Sequence, residues 1–117
     1  MILSLLTATP ALAAPGDISV ANFLAKADAL QAKGAMALLS SDYKLLKSEG
    51  QAAGQAYRLR LKDERVAGKP SSCPPQPAPV NSNTLIAHLR TYPVEHRGHI
   101  SLKNAMADLF VKTWPCR

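Results

Sequence analysis

The sequence predicts an all-α fold, a compact domain of four or five helices with one disulfide closing a C-terminal helical hairpin. Apolar residues recur at helical spacing in four stretches, each opened by a serine or asparagine and closed by a glycine or proline. Alanine and leucine are abundant, aromatics are only 5% of the chain, and the few β-branched residues never alternate over a strand's length. Two cysteines, Cys73 and Cys116, bracket the last two of these stretches.

With 117 residues, 47% of them hydrophobic and 19% charged, the chain can bury one core but not two. It opens on an apolar run without a charge before Asp17, and the small-residue triplet Ala11-Leu12-Ala13 suits signal peptidase. The expectation is a signal peptide over 1–13 and a single helical domain over 14–117. The run is shorter than the roughly 20 apolar residues of a membrane-spanning helix, and an ordinary buried helix is the competing reading. No integral membrane segment is expected once the signal is removed.

The first helix is expected over 18–31. Ser19 serves as its N-cap, Ile18 staples to Phe23, and Gly34 closes it. A short apolar turn, 35–39, leads to Ser40 and Ser41, either of which can cap the longest helix, 42–67. On that helix Leu46, Gly50, Ala53, Tyr57 and Leu61 share a stripe. Gly50 and Gly54 each cost about 1 kcal/mol against alanine in a helix, which suggests a small-residue surface for a closely packed neighbour. The charged residues from Arg58 to Arg65 read most simply as a solvated face with pairing four residues apart.

The prolines of 70–79 exclude helix and central strand and make a stiff connector. The next helix is capped by Asn81, Ser82 or Asn83, turns Leu85, Ile86 and Leu89 inward, and stops before Pro93. A polar turn over 94–100 precedes the last helix, from Ser101 to Trp114-Pro115. The expected core comprises Phe23, Leu24, Leu30, Leu46, Tyr57, Ile86, Leu89, Met106, Leu109 and Phe110.

Two cysteines in a small exported domain are expected to oxidise, and Cys73 and Cys116 allow one intramolecular pairing. A nucleophilic thiol or a metal ligand is the weaker alternative, since Cys73 precedes two prolines and no Cys-x-x-Cys occurs. His96 and His99, with Glu95, lie in a turn broken by Gly98, and two ligands are too few for a closed zinc site. His88 sits beside the apolar stripe of its helix and reads as a packing residue. No catalytic triad order, paired carboxylates or phosphate loop is evident. The expectation is a binding protein, not an enzyme, with no cofactor or metal.

The net charge of +6 and pI near 9.6 favour an acidic protein partner, anionic lipid headgroups or the acidic cell envelope. Nucleic acid is not expected, because the basic residues are spread along the chain and no recognition motif accompanies them.

The run from Cys73-Pro74 through Leu89-Arg90-Thr91-Tyr92-Pro93 and Glu95-His96-Arg97 to Trp114-Pro115-Cys116 resembles the Rap/Tai-type immunity proteins of type VI secretion. The likeness covers the C-terminal 45 or so residues. It implies a periplasmic, disulfide-linked helical protein, often a homodimer, that binds a cell-wall amidase effector and blocks its active site. The turn 94–100, with Glu95, His96, Arg97 and His99, is the expected contact element. The rival reading is a structural or chaperone-like binding protein of the envelope.

Overall fold

The computed structural model describes residues 14–117, so the expected signal peptide lies outside the described residues. The chain folds into four α-helices, α1 (Val20–Lys33), α2 (Ser41–Val66), α3 (Ser82–Leu89) and α4 (Leu102–Thr113). Two 3-10 helices, Gly34–Leu39 and Val94–His99, join α1 to α2 and α3 to α4. There is no strand among the described residues, only an isolated antiparallel bridge between Ser19 and Ser101. The all-α expectation holds.

Each α-helix begins where a side-chain oxygen accepts one of the amides left unpaired in the first turn. Ser19 accepts from the amide of Asn22, Ser40 from Asp42, Asn81 from Thr84 and Ser101 from Asn104. The caps of α1 and α4 are also joined backbone to backbone. The Val20 amide donates to the Ile100 carbonyl at 2.9 Å and the Leu102 amide to Ile18 at 2.8 Å. The first and last helices therefore start side by side.

The core lies between α2 and α4, with α1 and α3 closing it. Val20, Ala53, Leu89, Leu102 and Ala105 have no exposed surface, and Phe110, Leu61, Met106 and Tyr57 have almost none. Tyr57 and Phe110 pack with tilted rings, centroids 4.7 Å apart, and Trp114 extends the cluster 5.2 Å beyond Phe110. Nine of the ten expected core residues are buried. The exception is Ile86, which is only partly buried and packs on the core's rim, while its neighbour Leu85 takes the inner position.

The expected helix over 81–92 ends earlier, at Leu89. Thr91 turns its amide and its hydroxyl to the His88 carbonyl, at 3.0 and 2.6 Å, and the Tyr92 amide reaches Leu89. The last turn tightens to three-residue steps before Pro93, which has no amide to carry the helix on.

Gly50 and Gly54 do not receive a closely packed helix. A Cβ on either would meet no other residue within 4 Å. Helix α4 instead meets α2 along the buried Ala53, Tyr57 and Leu61 side, and the glycines face an open groove. The close backbone approach belongs to Gly16, whose φ of 94° L side chains rarely adopt. A Cβ there would meet the Ala53 amide nitrogen at 3.2 Å. Its amide donates to the Glu49 carboxylate, and its carbonyl accepts from the Lys103 amide at 3.0 Å.

Candidate functional site

Cys73 and Cys116 are bonded, with their Cα atoms 5.0 Å apart. Beside the bond the Cys73 amide donates to the Trp114 carbonyl at 2.8 Å, so backbone and side chain fasten the connector to the end of α4 together. The connector is also tied to α2. The Tyr57 hydroxyl lies 2.8 Å from the Ser71 hydroxyl and 2.7 Å from that of the buried Ser72. Ser71 donates both its amide and its hydroxyl to the Glu64 carboxylate, whose other oxygen accepts from Arg60. The Ser71 hydroxyl, more than its amide, holds the Glu64 carboxyl below its ordinary range.

The disulfide ring carries the 3-10 helix Val94–His99 at its corner. Val94 is 73% exposed, and Glu95, His96 and His99 all stand in solvent. The backbone beneath them is fixed. The His96 amide donates to the Pro93 carbonyl, and Ile100 is held by Val20 on α1. The Arg97 guanidinium, half-buried, donates to the Tyr92 carbonyl at 2.9 Å and to Arg90 at 3.0 Å. Of the four expected contact residues, the structure exposes Glu95, His96 and His99 and gives Arg97 the bracing role.

Behind this corner runs a chain of polar side chains. The His88 ring nitrogen Nε2 lies 3.0 Å from the Tyr92 hydroxyl, which donates to the Asp108 carboxylate at 2.6 Å. Burial is the largest influence on both ring and phenol. It pushes the His88 pKa down and the Tyr92 pKa up, and the bond to Asp108 adds to the rise at Tyr92. A shallow depression of about 390 Å³ lies beside Asp108, between Arg60, His99 and Asn104. His88 and Tyr92 are four apart in the sequence, a spacing visible there, and the tightened turn after Leu89 brings the Tyr92 ring back over His88. Asp108 comes from another helix and carries no local signal.

No group of three or more His, Cys, Asp or Glu side chains is gathered as a metal site among the described residues. No helix there is long and apolar enough to cross a membrane.

A second, wider opening lies between α1, α2 and α3, with a volume of about 620 Å³ and an apolar floor. Together these features define a disulfide-closed, all-α domain with one braced polar corner and one apolar groove. No known family, curated protein or solved structure matches the chain.

Proposed function

We propose that the chain is an exported immunity protein of the Rap/Tai type, acting in the periplasm to bind a cell-wall amidase effector of a type VI secretion system and block its active site. The supporting observation is the braced corner Val94–His99, with a backbone fixed from both ends and exposed side chains of mixed apolar, acidic and imidazole character. An inhibitor that enters a cleft loses affinity in proportion to the freedom it surrenders, and a corner ordered before contact surrenders little. A surface with a charge of +6 adds long-range attraction toward an acidic partner.

The test has two parts: a cell-wall amidase gene is expected beside this chain's gene, and the hydrolysis of peptidoglycan by its product is expected to stop when this protein is added. Stoichiometric inhibition is expected. His96→Ala combined with Val94→Asp should weaken it at least tenfold without changing the melting temperature. A folded, oxidised protein that leaves the amidase fully active at micromolar excess refutes the proposal.

A further inference from the structure

We infer that the groove between α1, α2 and α3 binds a long-chain fatty acid, with the acyl chain on the apolar floor and the carboxylate against Lys47. Its volume of about 620 Å³ falls within the roughly 300–1,000 Å³ typical of small-ligand pockets. Phe23, Leu30, Leu46, Leu85, Met106 and Phe110 supply the floor and walls. Gly50 and Gly54 line it too, and the open space above their Cα atoms is what an acyl chain would fill. Glycine is a poor helix former. In this helix no packed neighbour accounts for the pair, and a channel beside them does.

The polar groups are one-sided. Tyr43, Lys47 and Gln51 follow one another at four-residue spacing along α2 and all line the groove, so they form a single rim. Lys47 makes no ion pair among the described residues, where the pairs are Lys26–Asp42, Arg60–Glu64, Arg90–Asp28 and Lys103–Asp17. An ammonium flanked by a phenol and an amide suits one carboxylate head. Arg58, also on the groove, lies three turns further along α2, about 16 Å away by the helical rise. It is too distant to share that head. A second copy of the chain is a poor occupant, because two surfaces of charge +6 repel. The site is independent of the amidase reading, since groove and corner are built by different elements.

The test titrates a fluorescent sixteen-carbon fatty acid into the oxidised protein. One-to-one saturable binding is expected, weakening about tenfold for each two methylenes removed from a competing acid. Gly50→Leu should fill the channel and weaken binding at least tenfold with an unchanged or raised melting temperature, and Gly54→Ala should act in the same direction with a smaller effect. Lys47→Glu should weaken fatty-acid binding at least tenfold while leaving the sixteen-carbon alcohol unaffected, and Arg58→Glu should change either by less than threefold. The inference is overturned by absence of saturable binding, by unaltered affinity in folded Gly50→Leu, or by a groove that takes an acidic amphipathic peptide and no fatty acid.

Discussion

The two 3-10 helices are of equal length and opposite character. Gly34–Leu39 is the apolar sequence GAMALL, yet Met36, Leu38 and Leu39 are 66, 62 and 78% exposed. Val94–His99 is the polar sequence VEHRGH, yet its backbone is the more firmly held. The apolar segment spans the link between α1 and α2, with the Ser40 amide bonded back to Ala37. The polar segment lies inside a covalent ring, braced by Arg97 and adjoining the bridge to α1. Hydropathy alone would rank them the other way. Order at these connections follows from which backbone groups find distant partners, and a segment's own apolar content does not supply those partners.

The largest break in this comparison is removal of the ring. In the chain-entropy account, a loop spanning a sequence separation of 43 restricts the unfolded chain by about 4 kcal/mol. Cys73→Ser and Cys116→Ser should each lower stability by that order in urea denaturation, and the double variant should be little worse. Hydrogen exchange should rise through Val94–His99 and stay unchanged in Gly34–Leu39.

Arg97→Met tests the brace without touching the bond. Two carbonyls lose a charged donor, an expected cost of about 1–3 kcal/mol, reduced because Arg97 is only half-buried. The same measurement on Lys33→Met, beside the other 3-10 helix, should show almost no change.

Acidification probes the polar chain behind the corner. His88 has its folded pKa lowered by burial, so the folded state resists the proton that the unfolded state accepts. Its contribution is present above the unfolded value, near 6.5, and is lost as pH falls below it toward the folded pKa. Stability should drop between pH 7 and pH 5 by more than in a His88→Gln variant measured over the same range.

The smallest effect has the opposite sign. Since a Cβ at Gly54 meets nothing within 4 Å, Gly54→Ala should raise stability by up to about 1 kcal/mol, read as a higher urea midpoint. A loss would mean that a closely packed neighbour does occupy the site.

Much of the fold was legible because its determinants are local. Ser19 caps α1 as expected and Ser101, the expected start of the last helix, caps α4; Asn81 takes the cap among Asn81, Ser82 and Asn83, and Ser40 takes it between the adjacent serines before α2. The two cysteines permitted a single intramolecular pairing, and they form it. The misreadings concern what lies across from a residue. The Gly-x-x-x-Gly spacing correctly marked a smooth face, but only the positions of α1 and α3 decide that it borders a channel. Ile86 and Leu85 are adjacent, and which one turns inward depends on where α4 sits. Likewise, Arg97 in a polar turn looks available for contact until the carbonyls of Arg90 and Tyr92 are brought beneath it.

The bridge between Ser19 and Ser101 also bears on when the molecule can fold. It joins the start of the first helix to the start of the last, across nearly the whole chain. A polypeptide emerging from a ribosome can form α1 and α2 as a local pair, but it cannot close the bridge until Ser101 and Leu102 have followed. Contacts of such long sequence separation form only after their loop entropy has been met. The domain therefore completes as a unit only after Ser101 and Leu102 have been synthesised, and until then α1 and α2 wait without the element that starts beside them.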